Sequence, residues 1–384
     1  MKVLQVVPRF NPSLGGGVDV VYNLSKHLAL RGHDVTVATT DYLFNADYAA
    51  TIEDLGVEVI PFKHIFNYCL YIPSPSMRSW CRAHIDEYDV VHLNGTRSYQ
   101  NSVVMSHAAK NKVPIVLQAH GSIMRIVERK GIKWLYDQVW GRKLLASASA
   151  FIALSQSEAE AHRLLGIAEE KIHVLPNGVD LERFKDLPER GEFRRKYGIE
   201  LNAKVILYVG RLHKSKGIDL LIEAFADLVP QLEDVRLVLV GPDGGFKQGL
   251  QRLIADCGVE EKVRFTGFVS EREKYAAFID SDVFVTPKFY GFPITFVESC
   301  AFGLPIITTN AGDYLDWIDS VAGISTEYDR AKLCEAMNRV LSEKSVRDRF
   351  SRGCRRLVTS RFNWATITLD VEKVYAWAKK GVIC

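Results

Sequence analysis

Arg211 and Lys216 lie five residues apart in Tyr208-Val209-Gly210-Arg211-Leu212-His213-Lys214-Ser215-Lys216-Gly217-Ile218, where a β-branched run ends in a loop before a new helical pattern. A diphosphate leaving group gains negative charge as its bond breaks, and an arginine with a lysine can neutralise that charge without a metal. As bare composition a basic loop is more often solvated surface. Its place at the carboxyl end of a strand favours phosphate. Further on, Tyr290-Gly291-Phe292-Pro293-Ile294 leads into a mostly apolar helix in which Glu298 sits among Phe296, Val297 and Ala301. A carboxylate there needs partners, because burying it alone is costly. Either an internal arginine or the adjacent hydroxyls of a ribose would serve, two hydroxyls matching two carboxylate oxygens.

Two further loops hold candidates. Leu14-Gly15-Gly16-Gly17-Val18 precedes a helical pattern that ends in Arg31-Gly32-His33. Adjacent glycines let a phosphate or sugar approach backbone, and a helix N-terminus favours an anion, although a tight turn without a ligand reads the same way. The spacing is not Gly-x-Gly-x-x-Gly, which counts against a nicotinamide dinucleotide. In Gln118-Ala119-His120-Gly121-Ser122 the glycine leaves the imidazole edge open, so His120 is either structural or a hydrogen-bond partner for a sugar hydroxyl or phosphate. His92 reads as a packed histidine. Asp280 and Asp282 have the spacing of an acidic metal pair but precede a strand, at the wrong end of a sheet. No other cluster has ligand spacing, so no metal is expected.

The elements that must carry these loops are short β-branched runs at 3–7, 35–38, 57–60, 90–93, 115–118, 151–154 and 172–175, then at 205–209, 235–240, 263–266, 283–285 and 306–308. Strands buried on both faces and alternating with amphipathic stretches argue for parallel α/β sheets, and two series argue for two doubly wound domains. Pro176-Asn177-Gly178-Val179-Asp180 is a turn-rich break that places the hinge near Asn177. The tail 364–380 reads as a last helix, with apolar positions at Ile367, Val371, Val374, Tyr375 and Ala378.

The chain has 384 residues, which at roughly 150 per domain favours two or three domains. Its 47% hydrophobic and 25% charged residues exclude a disordered chain. With 49 basic and 46 acidic residues the net charge is +3, too small for a dedicated nucleic-acid binder. The longest uncharged runs, among them 144–157 and 299–312, are 14 residues, short of the 18 to 20 or so that a spanning helix needs. Seven widely spaced cysteines without a Cys-x-x-Cys pair read as reduced thiols and a cytoplasmic location.

Taken together, these residues resemble the retaining enzymes of glycosyltransferase family 4. The matching pieces are Gly15-Gly16-Gly17 with Arg31-Gly32-His33, His120-Gly121, Pro176-Asn177-Gly178-Val179-Asp180, Gly210-Arg211 with Lys216-Gly217, and Gly291-Phe292 through Glu298 to Gly303-Leu304-Pro305. They cover about residues 1 to 378 in the family's order. The resemblance implies an α/β chain of the GT-B fold, two doubly wound Rossmann-like domains facing a deep interdomain cleft. Residues 1–177 with a crossover helix at 364–380 would bind the acceptor, and 178–363 the nucleotide-sugar. Arg211 and Lys216 would hold the diphosphate, Glu298 the ribose, and backbone amides around Phe292, Pro293 and Ile294 the sugar and distal phosphate. His120 would reach the donor sugar, and Gly16, Gly17, Gly210, Tyr290 and Gly291 would complete the nucleotide-sugar site. Catalytic roles fall to His120, Arg211, Lys216 and Glu298.

The expected activity is transfer of a hexose from an NDP-sugar to a glycan or lipid-linked acceptor, with retained anomeric configuration and no metal or other cofactor. The family pattern places a glutamate at position 290, where this chain has Tyr290. The alternative is therefore an impaired family member that binds nucleotide-sugar as a regulatory subunit. Residues 122–145 carry Arg125, Arg129, Lys130, Lys133, Arg142 and Lys143 against Glu128 and Asp137, with Ile123, Ile126, Trp134, Leu135, Val139 and Trp140 interleaved. That stretch suits either peripheral contact with an anionic membrane on its cytoplasmic face or an ordinary amphipathic helix packed on its own sheet.

Overall fold

The computed structural model describes residues 1–68, 71–122, 136–184, 186–232 and 234–383. The basic segment 122–145 thus lies outside the described residues over 123–135. The chain divides into two compact units, Met1–Gly178 with Trp364–Cys384, and Val179–Asn363.

The first unit is built on a seven-stranded sheet in the order β3-β2-β1-β4-β5-β6-β7. Its strands are β1 Lys2–Val6, β2 Asp34–Thr40, β3 Val57–Phe62, β4 Val90–Asn94, β5 Ile115–Gln118, β6 Ala150–Ala153 and β7 Ile172–Val174. Every pairing is parallel. Strands β4, β5 and β6 are buried at every position, because helices cover both faces and leave no side of the sheet to water.

The second unit holds a six-stranded parallel sheet in the order β10-β9-β8-β11-β12-β13. These are β8 Lys204–Val209, β9 Val235–Val240, β10 Val263–Gly267, β11 Val283–Phe289, β12 Ile306–Gly312 and β13 Gly323–Thr326. Strand β11 runs four residues past the expected 283–285. Pro287 lacks a donor, but the register with β12 shifts between Thr286 and Lys288 and absorbs it. Thr308 and Thr309 hydroxyls donate to the Thr286 and Pro287 carbonyls at 2.8 and 2.6 Å, stitching the irregular stretch to β12.

The helix Trp364–Ile383 packs on the first unit, with Ile367, Val371, Val374, Tyr375 and Ala378 all buried. None of the described helices is long and apolar enough to cross a membrane. Polar contacts fasten the terminal helix: Arg31 grips Glu372 with two bonds of 2.6 and 2.9 Å, His33 Nε2 meets the same carboxylate at 2.8 Å, and Lys379 reaches Asp89 at 2.6 Å. Arg31-Gly32-His33 is therefore a latch for the C-terminus. The Arg31 hydrogen bonds hold Glu372 below the ordinary glutamate value. A carboxylate depressed in this way adds stability that is complete above its unfolded pKa and lost as pH falls through the folded one. Glu372→Gln is expected to unfold at a lower temperature than the unsubstituted protein at pH 7. The two thermal curves should converge as pH drops below about 4.5. Identical curves at pH 7 would show that the latch adds no stability.

Candidate active site

In the second unit the chain reverses its direction of growth between β8 and β11, the switch point at whose carboxyl ends open α/β sheets bind their ligands. The loop after β8 carries Gly210, Arg211 and Lys216, and that after β11 carries Tyr290, Gly291, Phe292 and Pro293. Close backbone packing shapes the first loop. A Cβ on Gly210 would lie 2.8 Å from the Tyr208 hydroxyl, and one on Gly244 2.8 Å from Arg211 Cγ. Leu212 N–H donates to the Pro242 carbonyl and Gly244 N–H to that of Leu212, both at 2.9 Å. Gly241-Pro242-Asp243-Gly244-Gly245, not among the candidate loops above, thus clamps the Arg211 loop. The signal was present: a strand, then glycines, then the helix Lys247–Asp256.

Arg211 is exposed and Lys216 half-buried. Burial and the nearby Arg211 both push Lys216 below the ordinary lysine value. No carboxylate among the described residues pairs with either cation. Two like charges brought together without a counter-charge are poised for an anion.

Glu298, on the helix Ile294–Ala301, is buried. Its partner is neither of the two expected. Lys274 Nζ, from the helix Glu271–Ile279, lies 2.6 Å from Oε1, and this ion pair is what permits the carboxylate on an apolar helix. Pro293 stands at the N-cap of the Glu298 helix without a side-chain cap, and Phe296 N–H donates to its carbonyl at 3.0 Å, so the amides of Ile294 and Thr295 are the first-turn donors left without an intrahelical partner. Phe292 is buried, its ring 6.1 Å from that of Phe362. The amide of Gly291 donates to the Asp313 carboxylate. Tyr290 is partly exposed, and the Lys288 ammonium lies 5.6 Å from its ring centre and 5.8 Å from that of Tyr328. Lys288 and Lys274 were not singled out from the sequence, where each is one lysine in a mixed segment.

In the first unit the reversal falls between β1 and β4. Gly15 has φ +92°, which favours glycine, and Gly16 and Gly17 open the helix Gly16–Leu30 on an exposed surface. No atom would lie within 4 Å of a Cβ at Gly15 or Gly17. His120 follows β5 with φ +52°, a left-handed conformation unusual for histidine. Its Nε2 lies 2.9 Å from Asn94 Oδ1, and burial pushes its pKa down to about 4, so the ring is neutral at pH 7. Gly121 N–H donates to Glu158 Oε1 at 2.7 Å and Leu154 N–H to Oε2 at 2.8 Å, so one buried carboxylate staples the loops after β5 and β6. His92 is fully buried, as read from the sequence. Asp280 accepts from the amides of Gly191, Phe193 and Arg194 at 2.6, 3.0 and 3.2 Å, capping the helix Glu192–Tyr197. Among the described residues no three or more His, Cys, Asp or Glu side chains are grouped to hold a metal.

Residues 14–183 match the model of Glycosyltransferase Family 4, and residues 189–356 that of Glycosyl transferases group 1. The chain is 28% identical to a D-inositol 3-phosphate glycosyltransferase of Xylanimonas cellulosilytica, over 99% of this chain and 96% of that one. It is 25% identical to a GDP-mannose:cellobiosyl-diphosphopolyprenol alpha-mannosyltransferase of Xanthomonas campestris, over 80% and 78%. Among solved structures, Anabaena Alr3699/HepE in complex with UDP and glucose superposes with a TM-score of 0.79 at 21% identity, covering 98% of this chain and 99% of that one. Two family models in tandem, each falling on its own parallel sheet, establish that the chain is a glycosyltransferase of the GT-B fold, within the superfamily of glycosyltransferase family 4.

Proposed function

We propose that this enzyme transfers a hexose-type sugar from an NDP-sugar to a glycan or lipid-linked acceptor, with retention and without a metal. The observation that carries the reading is the pair Arg211 and Lys216, two cations at a sheet's switch point with no carboxylate between them. A diphosphate supplies the missing charge, and neutralising it as the glycosidic bond breaks lowers the barrier. Glu298 accepts the ribose hydroxyls with the oxygen that Lys274 leaves, and amides at the start of the Ile294–Ala301 helix serve the distal phosphate and sugar. Neutral His120 hydrogen-bonds a hydroxyl of the transferred sugar. The acceptor oxygen bonds to the anomeric carbon on the face the diphosphate leaves, and the acceptor's proton passes to a departing phosphate oxygen. Peripheral contact with an anionic membrane through residues 122–145 belongs to the same proposal, on sequence alone. The nucleotide and sugar held by the Anabaena protein, and the sugar-donor names of the relatives, support the donor class.

The test is a panel of NDP-sugars and candidate acceptors assayed in EDTA, following free nucleotide and the mass and anomeric configuration of the product. Acceptor-dependent nucleotide release with a retained anomer is expected. Activity lost to EDTA and restored by Mg²⁺ or Mn²⁺, or an inverted product, would overturn the corresponding part of the reading.

Tyr290 offers the sugar a neutral hydroxyl that can donate and accept. Tyr290→Phe is expected to lower kcat/KM by the value of one neutral hydrogen bond, roughly 0.5 to 1.5 kcal/mol or about two- to tenfold, with nucleotide affinity nearly constant. Unchanged turnover would remove Tyr290 from the sugar site.

A further inference from the structure

A chain of buried polar side chains runs from His120 back to the terminal helix. His120 Nε2 lies 2.9 Å from Asn94 Oδ1, Asn94 Nδ2 donates to Gln5 Oε1 at 3.0 Å, and Gln5 Nε2 donates to the Tyr375 hydroxyl at 3.0 Å. That hydroxyl lies 2.8 Å from His92 Nδ1, while Gln5 Nε2 is also within 3.4 Å of the same nitrogen. Asn94, Gln5, His92 and Tyr375 are all buried, at 4, 0, 0 and 0% exposure. Each amide has one donating and one accepting end, so the direction set at one link sets the next. With Gln5 Nε2 donating to Tyr375 and Asn94 Nδ2 donating to Gln5, the carboxamide oxygen of Asn94 faces His120 and the Tyr375 hydroxyl is left to donate to His92. The proton of the neutral imidazole then sits on Nε2 and leaves Nδ1 as a hydrogen-bond acceptor. Reversing one link in so dry a place would leave a buried donor facing a donor.

We infer that Asn94, itself oriented by Gln5 and Tyr375, is a positioning residue that sets the tautomer and direction of the His120 ring, so that the terminal helix helps orient the group serving the transferred sugar. The inference rests on the reading of His120 given above. Holding the sheet together does not require this chain. Strands β1 and β4 are already laddered along their backbones, and the terminal helix is fastened by its apolar face and by Arg31, His33 and Glu372. What the chain adds is control of a ring on a loop whose backbone at φ +52° is held from the other side by Glu158 on Gly121.

The test combines a double-mutant cycle with ¹⁵N spectra of protein labelled at histidine, the His120 signals being identified by their loss in His120→Ala. The unsubstituted protein should show His120 protonated at Nε2. Asn94→Ala should mix its tautomers and lower kcat about tenfold, with the donor KM changed less than twofold. In the His120→Ala background the same substitution should change kcat less than twofold. Tyr375→Phe removes only the hydroxyl and should shift the His120 ring signals while circular dichroism stays unchanged; it stands in for Asn94→Ala should that variant not fold. An equal loss in both backgrounds, or an unaltered Nε2 tautomer without Asn94, would overturn the inference. Should His120→Ala itself keep full kcat, the donor-sugar role of His120 fails, and the spectra alone still decide whether Asn94 sets the ring.

Discussion

Lys216→Ala is expected to lower kcat/KM about ten- to a hundredfold, the value of one charge-assisted hydrogen bond of roughly 1.5 to 3 kcal/mol. The cost of gathering the cations is already met in the folded enzyme, where burial and Arg211 push Lys216 down. An arriving diphosphate relieves that strain, so the bond to it is worth more than one made by a solvated lysine. The exposed neighbour Lys214 provides the control, and Lys214→Ala should leave turnover within about twofold, as for an exposed surface charge. The sign of the pH effect follows from the same contacts. Nucleotide binding needs the ammonium form, so affinity should weaken as pH rises through a value below the ordinary 10.5, and this limb should vanish in Lys216→Ala. Equal kinetics for Lys214→Ala and Lys216→Ala would sink the diphosphate assignment.

The second large effect is on stability. Gly241 has φ +139°, and a Cβ there would overlap the carbonyl oxygen of Gly210. Neither group can step aside, because Gly241 N–H donates to the Gly267 carbonyl and Gly210 N–H to that of Val240, both at 2.9 Å. Gly241→Ala is expected to destabilise the second unit by about 3 kcal/mol or more, lowering its melting temperature by roughly 6 to 12 °C. Gly245 separates the two causes, since it also has positive φ, at +89°, but nothing within 4 Å of a Cβ. Gly245→Ala should therefore cost only backbone strain, about 1 kcal/mol. Calorimetry that found the two alanine variants equally stable would show that the close approach of the β8 and β9 loops is not held as described. Because that approach also shapes the Arg211 loop, Gly241→Ala should lose nucleotide affinity even at temperatures where it remains folded.

The parallel strands could be read from composition because burial on both faces writes itself as an unbroken β-branched run, a local signal. Where burial is partial the signal fades. Strand β13, Gly323-Ile324-Ser325-Thr326, lies at a sheet edge, is only half-buried beyond its glycine, and carries no unbroken β-branched run. The end of β11 was misplaced for a related reason, since Pro287 argues for a break and only the bulge against β12 shows how the strand continues.

Among the site residues, the nearness of Arg211 to Lys216 was legible, five positions apart in one loop. The rule that ligands meet strands at their carboxyl ends selected that loop and set aside Asp280. Tertiary structure alone decided the side-chain pairings. Lys274, not an arginine, neutralises Glu298 from another helix, and Arg31 and His33 serve as a latch only because Glu372 comes to them from the far end of the chain. The orientation of His120 depends on Asn94, Gln5 and Tyr375, and the Gln5–Tyr375 link joins residues 370 positions apart. The residue types and local periods of this chain determine its strands, helices and the loops that bear charge. Which carboxylate, amide or hydroxyl each of those groups meets depends on strand order and on where the last helix lands, and a bond of 3 Å between distant residues leaves no periodic trace in either of them.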